Sequence, residues 1–569
     1  MKDNKTIRLL TPEGEALAGV TCPWNTYPRP QMRRDSFLCL NGTWEVTLDS
    51  GEIRPILVPF PPESLLSEVC MPPQDVVAMM YRKSFTLPEG FRRGRVLLHF
   101  GAVDQCARVF LNDRYLGQHE GGYEAFSFDI TDCLQPQNTI VVEAWDCLKP
   151  HILPYGKQRV KRGGMWYTPV SGIWQTVWLE SVPETYIRAL RIDTADNTAT
   201  ITADGVTHGT VSVTTPDGPL SFPLADGQAT VTIPSPRLWS PEDPYLYEFT
   251  VTAGEDRVSS YFALRTLEIK RVSGIPRLCL NGKPYFFHAL LDQGYFPEGI
   301  YTPASPTCYE QDIRAAKELG FNTLRKHIKV EPEQFYYDCD RLGMVVFQDM
   351  VNNGRYSFIR DTALPTVGLK SLSDKHLHRD QATRKAFCDG MKATVRQLRN
   401  HPCICCWTIF NEGWGQFDSQ KAYETLRDLD PTRFIDTASG WFKGATSDVD
   451  SEHVYFKPVK LTYGDRPMVL SEFGGYACKL RDHVFNPERT YGYRLFTEQA
   501  NFEDALIRLY EDEIIPAISQ GLCAAVYTQL TDVEDETNGL ITYDRRVVKV
   551  NAERMRRIAE RLAEEMDPS

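Results

Sequence analysis

The chain has 569 residues, 42% hydrophobic and 24% charged, with a net charge of −12. That length asks for two to four domains, and the composition is that of a soluble globular protein. The acidic balance excludes nucleic acid and anionic membrane as main partners, and no run nears the roughly 18 apolar residues of a membrane helix.

The opening MKDNKTIRLLTPEGEALAG lacks the apolar core of a signal peptide, so a cytoplasmic location is expected. Up to about residue 184 short strands are broken by turns. GTWEVTLD (Gly42 to Asp49), RVLLHFGAVD (Arg95 to Asp104), ARVFLNDRYLGQH (Ala107 to His119), FSFDIT (Phe126 to Thr131), TIVVEAW (Thr139 to Trp145) and GIWQTVWLE (Gly172 to Glu180) all read as β. Asn112-Asp113 supplies a hairpin turn between two of them. Such spacing predicts a jelly-roll β-sandwich over 1–184. A second strand-rich block, 185–268, turns about every ten residues, as an immunoglobulin-like sandwich does.

After a hairpin with Asn281-Gly282 at its tip, the pattern changes. DIRAAKELG (Asp312 to Gly320) is an amphipathic helix, FNTLRKH (Phe321 to His327) a strand, EPEQFYYDCDRLG (Glu331 to Gly343) a helix and MVVFQDM (Met344 to Met350) a strand. The alternation continues through CICCWTIFNE, KAYETLRDLDP, RFIDTASG, VYF, MVLSE, a long helix near 501–519, LCAAVYTQL and the helix Val550 to Met566. No Gly-rich phosphate loop follows any strand, so 269–569 reads as a (β/α)8 TIM barrel rather than an open sheet.

The fifteen cysteines are odd in number and scattered, which fits reduced thiols. Cys403, Cys405 and Cys406 cluster in HPCICCW, but no His or Cys set at zinc-like spacing faces them. They read as packed thiols on a buried strand, and neither metal nor cofactor is expected. The 11% aromatic content suits carbohydrate stacking and equally suits a β-rich core.

In a TIM barrel the reacting groups gather at the carboxyl ends of the strands. Glu412 ends CWTIFNEGWG and Glu472 ends PMVLSEFGGY. A carboxylate where a buried strand runs out is costly unless paired, and paired carboxylates are what glycosidic hydrolysis requires. A salt-bridged scaffold residue is the plainer alternative for either one. Arg325, His327, Asp349, Asp436 and Tyr455 fall at comparable strand ends.

LNGTWEV, GAVDQCARVFLN, GQHEGGYEAFSFDIT, GIWQTVWLE, LNGKPYFFHALL, ELGFNTLRKH, CDRLGMVVFQDM, WTIFNEGWG, DLDPTRFID and VLSEFGG follow one another along nearly the whole chain. In that order the chain resembles family 2 of the glycoside hydrolases, the β-galactosidases, β-glucuronidases and β-mannosidases, in its short three-domain form. The resemblance implies Glu412 as general acid/base and Glu472 as nucleophile, about 5–5.5 Å apart in a retaining mechanism. One must be ionised and the other protonated near neutral pH.

It further implies that Asn411 hydrogen-bonds the sugar 2-hydroxyl, that Tyr455 holds the nucleophile's carboxylate, and that His453 reaches the sugar. Ordinary packing stays open for the last two. Arg325 and His327 fall near the subsite floor, with Arg325 equally placed to be a structural partner of Glu472. Asp292, Asp349 and Trp441 are candidate sugar contacts.

Two departures bear on substrate. Glucuronidases grip the sugar carboxylate with Asn-x-Lys, where this chain has Glu536-Thr537-Asn538. Metal-assisted β-galactosidases carry Glu-x-His where this chain reads QDMVNNGRYS (Gln348 to Ser357). The expected substrate is therefore an oligosaccharide or glycoside with a terminal neutral sugar, first a β-galactoside. A β-mannoside, α-L-arabinoside or uronide, transglycosylation, and a sugar-binding protein on an inactive barrel are the competing readings. Oligomeric state is left open, with a homo-oligomer one expectation.

Overall fold

A computed structural model describes residues 6–364, 374–440, 444 and 446–567. In the first sandwich, a six-stranded and a four-stranded sheet share one apolar core. The strand Asn138–Cys147 shows why: every second residue is buried, as the two-residue period of a half-covered strand requires. Trp44, Tyr81, Leu98, Phe100 and Val142 fill the space between the sheets. Asn112 and Asp113 both take positive φ, 51° and 64°, forming the expected hairpin turn. The second sandwich packs a three-stranded sheet on a four-stranded one around Ile201, Val213, Phe249 and Val251.

The remainder is a barrel. Its strands are β1 Phe287–Asp292, β2 Thr323–Lys326, β3 Val345–Asp349, β4 Ile404–Asn411, β5 Phe434–Ser439, β6 Asp450–Val454, β7 Met468–Gly474 and β8 Leu522–Thr528. They are hydrogen-bonded in the order β5-β4-β3-β2-β1-β8-β7-β6, every pair parallel. Only β5 and β6 share no ladder among the described residues, so the ring is nearly closed. β1–β4, β7 and β8 are buried at every position, as parallel strands under helices must be.

Several elements differ from the sequence reading. The helix expected from Asp312 starts at Thr307, right after Pro306. The strand expected at VYF, residues 454–456, begins four residues earlier and runs Asp450–Val454, where Ser451 and His453 are buried polar residues that hide the pattern. The long helix is interrupted by a widened turn, Tyr510–Ile514, next to Pro516; proline cannot donate the i→i−4 bond there. All fifteen cysteines are free thiols, with Cys403, Cys405 and Cys406 buried at β4.

Candidate active site

Five strand ends deliver the site. β2 brings Arg325 and, just beyond it, His327; β3 brings Asp349; β4 brings Asn411 and Glu412; β6 brings His453 and then Tyr455; β7 brings Glu472. Glu412 sits just past the end of β4 with φ 53°, its N–H donating to Ser439 O at 3.0 Å. That left-handed turn bends the chain off the strand at the residue whose carboxylate counts. One oxygen each of Glu412 and Glu472 and a ring nitrogen of His453 lie within 4.8 Å of one another.

Arg325 is the hub beneath. Its Nε donates to Asp349 Oδ1 (2.9 Å), Nη1 to Glu472 Oε1 (3.1 Å) and to Ser471 O (2.9 Å), and Nη2 to Asn411 Oδ1 (2.9 Å). Asn411 Oδ1 being so engaged, its amide N–H groups remain to donate elsewhere. Asp349 also takes His327 Nδ1 at 2.7 Å. Burial would raise the Asp349 carboxyl, but Arg325 and His327 pull it below its ordinary value. Tyr455 donates its hydroxyl to Glu472 Oε2, lies 3.1 Å from Thr528 Oγ1, and stacks on Tyr493 at 3.7 Å.

Burial alone would push the Glu472 carboxyl up. His453, Arg325, His327 and Lys157 outweigh it and bring it down to about 2. Glu472 is therefore ionised across the neutral range.

The state of His453 follows from its hydrogen-bond chain rather than from an observed proton. Ser471 Oγ donates to Glu452 O (3.3 Å), so Ser439 Oγ must donate to Ser471 Oγ (2.9 Å). Ser439 can then only accept from His453, which puts a proton on Nε2 (3.1 Å). On the other side Nδ1 faces Glu412 Oε1 at 2.9 Å and Glu472 Oε2 at 3.5 Å, and gives or takes a proton according to whether Glu412 carries one. His453 thus bridges the two glutamates by hydrogen bonds. The same three groups have the ligand types for a divalent cation. At the end of β3 Gln348 is engaged by Tyr336 and Lys329 O, and beyond the strand Asn352 by Trp414 O.

Asp292 is not brought to the pair. Along a strand successive side chains alternate, so Lys326 points away from the axis when Arg325 points toward it. Lys326 takes Asp292 (2.5 Å) and Glu331 (2.9 Å) and lies over the ring of Phe335, on the helix side of the wall. Gly294 N also donates to Asp292, at 2.9 Å. Trp441 lies outside the described residues. Asp436, within β5, accepts from Ser451 Oγ at 2.9 Å.

The sequence reading missed the contribution of the first sandwich. Its segment 148–171 crosses the barrel mouth, where the Tyr167 hydroxyl donates to Glu536, and Asn538 Nδ2 holds the other Glu536 oxygen at 3.0 Å. The basic run KQRVKR in that segment was the available signal, although such runs usually mark solvated loops.

Three family models match in sequence. They are the family 2 glycosyl hydrolase sugar-binding domain over 61–183, a further glycosyl hydrolases family 2 model over 185–265, and the family 2 TIM barrel domain over 302–463. The chain belongs to glycosyl hydrolase family 2. Among curated family 2 relatives, a Bacteroides fragilis β-glucuronidase is 23% identical over 465 residues, 72% of this chain and 61% of that protein. A Thermoanaerobacter pseudethanolicus β-galactosidase is 26% identical, covering 62% and 47%. The chain thus spans roughly half the length of the curated relatives it matches. The fold is shared with the solved β-D-glucuronidase of Dictyoglomus thermophilum (TM-score 0.72, 17% identity, 94% of this chain and 98% of that one). It is shared also with a family 2 β-galacturonidase of Eisenbergiella tayi (0.67, 18%, 94% and 99%).

Proposed function

We propose that this chain is a retaining exo-β-glycosidase. The observation that carries the reading is the Glu412–Glu472 pair: carboxylate oxygens within 4.8 Å, with the Glu472 carboxyl held down to about 2. That spacing suits direct attack; an inverting pair needs about 6.5–9.5 Å to admit a water between.

In this account Glu472 attacks the anomeric carbon while Glu412 gives its proton to the departing glycosidic oxygen. The covalent glycosyl-enzyme is then opened by a water whose proton returns to Glu412. Arg325 and the Tyr455 hydroxyl hold the Glu472 carboxylate in line. The free N–H groups of Asn411 suit the sugar 2-hydroxyl, a contact that tightens as charge develops at the ring. Asp349 and His327 serve by fixing Arg325.

Two sugars compete. Asn538 in place of a lysine supports a neutral sugar, with a β-galactoside as the first candidate. A β-uronide is supported by the glucuronidases among the relatives and by a lysine from elsewhere in the chain, considered below. Assaying aryl glycosides varied in sugar and anomer, with product configuration followed by NMR, tests the reading. Turnover with retained configuration is expected. An inverted product, or no turnover on any β-glycoside, would end it in favour of an inverting enzyme or a sugar-binding protein.

A further inference from the structure

The segment 148–171 leaves the first sandwich and lies across the barrel mouth. It is fastened at both sides. Tyr155 N and Gly156 N both donate to Asn352 O, at 3.1 and 3.2 Å, beyond the end of β3. Thr168 N donates to Glu534 Oε1 at 2.9 Å, and Tyr167 donates to Glu536, both beyond β8. Gly156, at φ 63°, passes so near Ile328 O that a Cβ would stand 2.9 Å from it. This close approach brings the next residue, Lys157, over the pocket.

Gln158 turns back into the first sandwich, its Nε2 on Asp104 Oδ2 (2.9 Å) and its Oε1 accepting from Val170 N (2.7 Å). The backbone on either side of Gln158 runs along Tyr167, with Arg159 N to Tyr167 O and Tyr167 N to Lys157 O both 3.0 Å. Lys157 belongs to the turn that Gly156 makes at the barrel mouth, just before the single bridge of Gln158 to Tyr167. Arg159 is spent on the face of Trp166, 3.8 Å away. The charge of Lys157 is felt at three groups of the site: burial lowers His327 and Lys157 adds to that, burial raises Glu536 and Lys157 opposes it, and at Glu472 Lys157 joins His453, Arg325 and His327 against burial.

Lys157 is half-buried, yet among the described residues its ammonium has no hydrogen bond or ion pair. By contrast Arg325, Lys326, Lys329 and Arg162 each reach a carboxylate. Glu536, which feels the charge of Lys157, has its two oxygens held by Tyr167 and Asn538 instead. A half-desolvated ammonium kept clear of the acids around it is costly unless a ligand supplies its counter-charge.

We propose that Lys157 is the residue by which this site selects its sugar, its ammonium receiving an anionic exocyclic group, a carboxylate or a sulfate, on the sugar held over Glu472. This assignment rests on the glycosidase reading above. It relocates the substrate's cation from the loop after β8, where Asn538 stands, to the first sandwich.

The test uses the intact protein and matched nitrophenyl glycosides: β-glucuronide, β-galacturonide and 6-sulfo-β-galactoside against the neutral β-glucoside and β-galactoside. The wild type is expected to favour one anionic member at least ~100-fold in kcat/KM, and which one separates carboxylate from sulfate. Lys157→Met should lose about 100-fold on that member, in line with a lost charge-assisted contact, while the neutral partner shifts less than about five-fold. Lys157→Arg should recover part of the loss. Turnover of neutral sugars alone would overturn the assignment and leave the glycosidase reading standing. So would an equal loss on charged and neutral partners, which would mean that Lys157 acts only through Glu472. No turnover of any member would overturn both.

Discussion

Replacing His453 by glutamine removes the group whose charge does most, against burial, to hold the Glu472 carboxyl down, while keeping a polar side chain. His453 Nδ1 lies 3.5 Å from Glu472 Oε2. At an effective dielectric of about 20, a unit charge pair at that distance is worth about 5 kcal/mol, or about three to four units at roughly 1.4 kcal/mol each. Relaxation and entering water reduce this, so a rise of about 1–3 units is expected. Arg325, His327 and Lys157 remain on Glu472 in the variant, with Glu412 opposing them and Tyr455 still donating.

With the carboxyl at about 2 in the native protein, kcat/KM on an aryl β-glycoside should show no nucleophile limb down to mildly acid pH. In His453→Gln the acid limb should move up into the range of about 3–5. The sign is that of a depressed acid. Its stabilisation is present above the ordinary value of 4.5 and is lost as pH falls through about 2, so the variant gives up stability on the acid side first. Parallel pH–rate profiles of kcat/KM from folded samples are the assay. Superimposable acid limbs would refute the part given to His453 in holding Glu472 down.

Glu412→Ala should cost a poor leaving group about 10²–10⁴ in rate and a dinitrophenolate far less, because only the former needs a proton; an equal loss on both would remove Glu412 as the acid. Asp292→Asn should lower stability by about 1–3 kcal/mol, since Lys326 would lose one of its two charged partners inside the wall, with kcat/KM within a few-fold. A large rise in KM at unchanged denaturation midpoint would instead place Asp292 in the pocket.

The fold was legible because its patterns are strong. Strict alternation in Asn138–Cys147 and all-apolar runs such as β4 and β8 announce a half-covered sheet and a barrel wall. Glu412, Asn411 and Glu472 were legible for the opposite reason, as polar residues where those runs stop. β6 was read four residues late because His453 and Ser451 are buried by hydrogen bonds rather than by hydrophobicity. Asp292 misled because a strand end has two faces, and only the register with Lys326 reveals which one it occupies. Lys157 was invisible for a third reason. It reaches the site from a segment that precedes β1 by more than a hundred residues, held by bonds to Asn352, Glu534 and Glu536 that no local pattern encodes.

The covalent step at Glu472 is the account's centre, and Glu472→Ala with added azide tests it most directly. The variant should be inactive on an aryl β-glycoside, and azide should restore turnover with an α-glycosyl azide as product, the anion entering from the face the carboxylate has vacated. Activity unchanged by the substitution, or a β-configured azide from the rescued variant, would contradict it.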